Sequence, residues 1–248
     1  MTTLVLAAVI CAVFLPKKEN EGGALASAGQ TSLQVSESVV LSGPPSLTST
    51  DSSSATSFAS PSGKADLSRT VFVGNSFVED LSTYNLLPES DCFARVGLNV
   101  RSALEKPTLR GTVPVIDELN DREYERVILV FGENELGWNS AELFAESYAV
   151  LIDEVRARQP AATLYISSIF PVSAEVSEKN VDQTNNQRIA EFNRCLETLA
   201  GEKDAVFLDG ASVMRDESGA LPSGAATDGI HPSIDYYKKW VSYIKSHI

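Results

Sequence analysis

The sequence predicts a doubly wound α/β fold: a three-layer α/β/α sandwich around a five-stranded parallel sheet. Two observations carry this. Five short β-branched and aromatic runs recur in order: TVFVG (70–74), CFARVG (92–97), RVILVFG (126–132), TLYISSI (163–169) and AVFLDG (205–210). Continuous apolar runs of this length are what a parallel sheet covered on both faces requires. Between and after them lie stretches with the 3.6-residue apolar period of amphipathic helices, and strands alternating with helices build βαβ units.

The elements follow in order. The first strand breaks at Gly74, and Ser76 with Glu79 forms a capping-box pattern, so Ser76 reads locally as a helix start. Asn139 with Glu142 predicts the start of a helix whose apolar stripe is Phe144, Tyr148, Leu151, Ile152 and Val155, stopped by Pro160. Ile189, Phe192, Leu196 and Leu199 make a second stripe expected to end at Gly201. From about Ser233, Tyr237, Trp240, Val241 and Ile244 line one face of a last helix.

The folded domain is expected over residues 66–248 of the 248-residue chain, preceded by two segments of different character. Residues 1–18 hold the uncharged run LVLAAVICAVFL followed by Pro16, Lys17 and Lys18, too short for the roughly 20 residues of a spanning helix and closer to a signal or anchor segment. Residues 19–65 are dominated by Ser, Thr, Pro, Ala and Gly, a composition that buries too little apolar surface to offset its ordering entropy, so a disordered tether is expected. Anchor, tether and domain together predict an extracytoplasmic protein, secreted or held at the cell surface, touching membrane only through its N-terminal segment.

A formal charge of −13 excludes nucleic acid as an expected partner, since the phosphate backbone would be repelled. The three cysteines, Cys11, Cys92 and Cys195, lack metal-site spacing; Cys92 and Cys195 could pair in an oxidising compartment, but both sit in predicted core elements, which favours buried thiols. No metal and no cofactor is expected.

In a doubly wound sheet, ligands bind beyond the carboxyl ends of the strands. The residues found there are Asn75 and Ser76, Gly97, Glu133 and Asn134, Pro171, and a later polar loop with Asp228 and His231. The chain has two histidines, and the other, His247, is penultimate. If Ser76 does acyl chemistry, His231 must be its base.

Four short blocks carry a resemblance: Gly74-Asn75-Ser76, Gly97 in RVGLNV, Gly132-Glu133-Asn134-Glu135, and Asp228-Gly229-Ile230-His231. In this order they resemble the SGNH (GDSL-type) hydrolases, across essentially all of 70–248. The resemblance implies the SGNH hydrolase fold, with a flavodoxin-like five-stranded parallel sheet, and a catalytic triad of Ser76, Asp228 and His231. It also implies an oxyanion hole made by the Ser76 and Gly97 backbone N–H groups and the Asn134 amide. A serine hydroxyl needs a neighbouring base to become a nucleophile, and the developing oxyanion needs preorganised donors. Asn75 departs from the family pattern, which has Asp there; it keeps an acceptor but loses the charge. Val78 stands where a G-x-S-x-G elbow would need its second Gly, which disfavours the α/β-hydrolase superfamily.

The expected activity is hydrolysis of a short acyl ester, acetyl foremost, on a small-molecule, glycan or cell-envelope substrate, through an acyl-serine intermediate. Phe77, Leu136 and Trp138 are candidate pocket walls, core packing being the competing role. The alternatives are acyl transfer, a non-catalytic surface binding module that retains the fold, and a glycosidase using the Glu133 and Glu135 carboxylates.

Overall fold

A computed structural model of the chain describes residues 65–248. The segments expected as anchor (1–18) and as linker (19–65) lie outside the described residues, apart from residue 65. Five strands form one sheet: β1 (Thr70–Gly74), β2 (Cys92–Ala94), β3 (Arg126–Val130), β4 (Thr163–Ser167) and β5 (Val206–Leu208). All pairings are parallel, and the order is β2-β1-β3-β4-β5. The helices are α1 (Ser76–Thr83), α2 (Ala141–Arg158), α3 (Ala174–Lys179), α4 (Asn186–Glu202) and α5 (Ile234–His247). Among the described residues, no helix is long and apolar enough to cross a membrane.

The two-residue period of the strands divides the core into two layers. Val71, Val73, Val127, Leu129, Leu164 and Ile166 pack with the stripes of α2 and α4, where Phe144 stacks on Phe192 at 4.9 Å. Phe72, Ile128, Val130 and Tyr165 face the other way, against α1 and α5. There Trp240 meets Phe72 and Phe170 edge-on, at 6.4 and 4.9 Å. Each large side chain so buried stabilises the fold by about 1.5–3 kcal/mol. Cys92 belongs to one layer and Cys195 packs against the other. Burial, helped by Asp91, pushes the Cys92 thiol up to about 12.

The expected boundaries shift where local hydrogen bonds outweigh apolar pattern. Strand β2 stops at Ala94, so Gly97 sits in a turn beyond it. The cap of α2 is Ser140 and not Asn139, because it is the Ser140 side chain that accepts the Leu143 N–H, at 3.2 Å. Gly201 lies inside α4 and does not end it. Helix α3 had no readable apolar stripe, and none of its residues is buried.

The order places β1 between β2 and β3, so the turns leaving these three strands lie side by side at one edge of the sheet. Gly74, the last residue of β1, is packed against β3: a Cβ there would lie 2.4 Å from the Val130 carbonyl oxygen and 2.7 Å from a Val78 methyl. Because the nearer obstacle is backbone, Gly74→Ala is expected to destabilise the protein by about 1–3 kcal/mol, measured by urea unfolding; wild-type stability would show that the strand pair can open there at no cost.

Candidate active site

Ser76 is the first residue of α1. A serine here could spend its hydroxyl as the cap, but the cap is Asn75, whose Oδ1 accepts the Phe77 N–H at 3.1 Å. The capping-box reading of Ser76 is therefore corrected: its hydroxyl is free, and Oγ lies 3.1 Å from His231 Nε2. Glu79 does not complete a capping box either; its Oε2 accepts the Val96 N–H at 3.2 Å, tying α1 to the turn that holds Gly97.

His231 comes from a loop closed by a bridge between Ala226 and Pro232, with Gly229 at φ 77°. Its Nδ1 lies 2.7 Å from Asp228 Oδ2, while Asp228 Oδ1 accepts the Ile230 and His231 N–H groups at 2.9 and 2.8 Å. Partial burial pushes the Asp228 carboxyl up, but the hydrogen bonds from the His231 side chain and these two backbone groups outweigh it and hold it below its usual value. An ionised Asp228 takes the Nδ1 proton in its hydrogen bond, leaving the Nε2 lone pair towards Ser76. The imidazole also stacks on Phe77, with centroids 5.2 Å apart and planes at 22°. Side-chain exposure of 42% at His231 and 51% at Asp228 leaves the site open to solvent.

The turns after β2 and β3 meet beside Ser76. Asn134 Nδ2 donates to the Leu98 carbonyl at 2.8 Å, which places its amide next to Gly97 and leaves its second hydrogen available. Gly97 has φ 74°, a left-handed conformation that glycine takes without Cβ strain, and a Cβ there would meet nothing within 4 Å. Among the described residues, neither the Ser76 N–H nor the Gly97 N–H has a hydrogen-bond acceptor.

Beneath the nucleophile turn, Asn75 is fully buried, and its Nδ2 donates to Glu133 Oε2 at 2.8 Å. Removal from water pushes the Glu133 carboxyl up, opposed by Asn75 and by the backbone N–H groups of Glu133 and Phe170. Glu135 is fully buried, and Oε1 accepts the Val100 N–H at 2.9 Å. Burial first, and Glu133 in addition, push its carboxyl up to about 8. Its Oε2 and the buried Tyr148 hydroxyl have no hydrogen-bond partner among the described residues. A carboxylate enclosed in this way cannot flank a glycosidic bond, so the glycosidase alternative is set aside.

Of the candidate pocket residues, Phe77 walls the imidazole from within the core. Leu136, 2% exposed, belongs to the core cluster that also holds the buried stripe of α2. Trp138 is half-buried beneath the Arg101 guanidinium, 4.5 Å from its ring. Sequence reasoning missed Arg188, which holds this turn by donating to the Leu136 and Trp138 carbonyls at 2.9 and 2.5 Å. No local pattern marks it, since its partners are backbone atoms some fifty residues away. Among the described residues, no group of His, Cys, Asp or Glu side chains is arranged to hold a metal ion.

A serine, a histidine and a carboxylate joined by hydrogen bonds at the carboxyl edge of a parallel sheet are the parts of a serine hydrolase. The chain belongs to the GDSL-like lipase/acylhydrolase family, whose model matches residues 74–239, and it is an ester hydrolase of the SGNH type. No curated protein matches it. Solved structures with a similar fold include an acylhydrolase-named protein of Bacteroides fragilis NCTC 9343, with 17% identity, 76% of this chain and 90% of that chain covered, and a TM-score of 0.56. A GDSL-like lipase of Bacteroides thetaiotaomicron VPI-5482 gives 18% identity, coverage of 72% and 86%, and a TM-score of 0.54. A Streptococcus pneumonia protein named for platelet activating factor gives 23%, 72% and 81%, and 0.55. The family assignment sets aside a binding module without catalysis, and buried Asn75 is part of the scaffold.

Glu135 makes stability depend on pH. Its carboxyl titrates near 4.5 when exposed and near 8 when folded, so between these values the unfolded chain has lost a proton that the folded chain keeps. Stability therefore falls as pH rises through this window. Glu135→Gln, which keeps an acceptor for the Val100 N–H, is expected to flatten that fall in urea unfolding at pH 5 and 8; an unchanged slope would place the ionisation elsewhere.

Proposed function

We propose that Ser76 is the nucleophile, His231 the general base and Asp228 its orienting partner in hydrolysis of a short acyl ester, acetyl foremost. The hydrogen-bonded line from Ser76 Oγ through His231 to Asp228 Oδ2, 3.1 and 2.7 Å long, is the observation that carries this reading. Nε2 takes the hydroxyl proton as Oγ attacks the carbonyl carbon. The oxyanion is met by the Ser76 and Gly97 N–H groups and the free hydrogen of the Asn134 amide. The imidazolium, stabilised by Asp228, returns the proton to the departing alcohol. Water then attacks the acyl-serine by the same base catalysis, releasing the acid and freeing Ser76.

The open triad supports a small acyl group on a large alcohol. With about half of the Asp228 side chain and 42% of the His231 side chain exposed, a bulky glycan or cell-envelope polymer can approach without entering a tunnel. The apolar run and Ser/Thr-rich stretch of residues 1–65 support an extracytoplasmic site of action, tethered or secreted.

With p-nitrophenyl acetate and its longer-chain homologues, the full chain is expected to prefer the acetate, and Ser76→Ala and His231→Ala are expected to fall to background while remaining folded. Asn134→Ala should lower kcat by about 100- to 1,000-fold. Wild-type turnover in Ser76→Ala would overturn the assignment, and a preference for long chains would overturn the short-acyl reading.

A further inference from the structure

Glu133 lies in a place where a carboxylate needs a reason. Among the described residues, no lysine or arginine pairs with it. Its side-chain partner is instead the residue that leaves the neighbouring strand β1. Asn75 Nδ2, just after β1, donates to Oε2 at 2.8 Å, and Glu133 itself stands just after β3. Phe170 packs edge-on against Phe77, two residues from Asn75 in sequence, at 5.4 Å. A carboxylate suits this partner because the Asn75 amide presents a donor, and a carboxylate offers acceptors and no proton of its own.

Asn75 is matched to the same arrangement. It must accept from the Phe77 N–H through Oδ1 and donate to Glu133 through Nδ2. An amide does both; an ionised aspartate does only the first. The residue next to the nucleophile and the residue next to Asn134 are therefore complementary in polarity.

We propose that Glu133 is a positioning residue: its carboxylate joins the ends of β1 and β3 and, through the Asn75 amide, holds the turn that aims Ser76 at His231. The proposal rests on Ser76 being the nucleophile. Exchanging polarity tests it. In Glu133→Gln, the amide oxygen is an uncharged and weaker acceptor for the Asn75 N–H, and its own NH2 group brings a donor where the carboxylate had none. In Asn75→Asp, two carboxylates within hydrogen-bond distance cannot both ionise. In the double variant Asn75→Asp/Glu133→Gln, the amide at position 133 donates to the new carboxylate, which restores a charge-assisted bond with its polarity reversed.

The measurement is kcat and KM of the full chain on p-nitrophenyl acetate, with circular dichroism as the control for folding. Glu133→Gln is expected to lower kcat by about 10- to 100-fold, the loss typical of a misplaced reacting group, with KM changed little. The double variant is expected to recover most of that loss, the non-additivity that coupled neighbours show. Wild-type kcat in Glu133→Gln, or a double variant no better than it, overturns the proposal. If Glu133→Gln does not fold, Asn75→Ser decides: it keeps a capping oxygen for the Phe77 N–H but withdraws the amide from Glu133, so the same fall in kcat is expected and undiminished activity overturns the proposal. Failure of the underlying reading looks different, because Ser76→Ala would then match wild type before any variant at positions 75 or 133 is compared.

Discussion

The side-chain cap made by Asn75 is the interaction on which the site depends. A helix starting directly after a parallel strand has N–H groups without intrahelical partners, and one of them has to be met by a side chain. If Ser76 met it, the hydroxyl would point into the helix start and be lost to chemistry. Asn75, fully buried, takes that duty. The Ser76 hydroxyl then stands at the helix N-terminus facing His231, with its own N–H unclaimed.

Parallel strand order supplies the remaining parts without long-range coincidence. With β1 flanked by β2 and β3, the turns that carry Ser76, Gly97 and Asn134 are neighbours by construction. Two cross-links then set their spacing: Asn134 to the Leu98 carbonyl, and Glu79 to the Val96 N–H. The histidine loop comes from the far end of the chain and is braced by its own Asp228, through three hydrogen bonds to residues two and three positions on, and by the Ser173 N–H, which donates to the Gly229 carbonyl at 2.8 Å. A rigid sheet edge thus meets a locally braced loop, and the open face between them is where a substrate can enter.

Much of this was legible because the signals are local. The strand runs 70–74 and 126–132 and the stripes of α2, α4 and α5 contain residues that the core buries. The relation of Asp228 to His231 could also be read, since three residues of separation in a polar loop permit an Asx-type turn. The fold follows from such signals, the chemical class from the four-block resemblance to the SGNH hydrolases, and the family match over 74–239 agrees with both. Other readings failed where a feature has two local explanations. Ser76 and Glu79 look like a capping box whether or not they form one, and Asn139 and Ser140 are both good caps. Leu136 beside Asn134 reads equally as pocket wall or as core, and burial alone separates these.

The sequence by itself determined the order of strands and helices, the apolar faces that must be covered, and the set of polar residues left at the strand ends. These depend on periodicity and turn chemistry, which act over a few residues. Tertiary structure alone decided which of the two residues, Asn75 or Ser76, spends its side chain on the helix. It also joined Asn75 to Glu133, 58 residues apart, and brought Ser76 within reach of His231, 155 residues apart. The physical reason is that a buried polar group must find a complementary partner wherever the packed strands place one, and that placement is a property of the whole sheet.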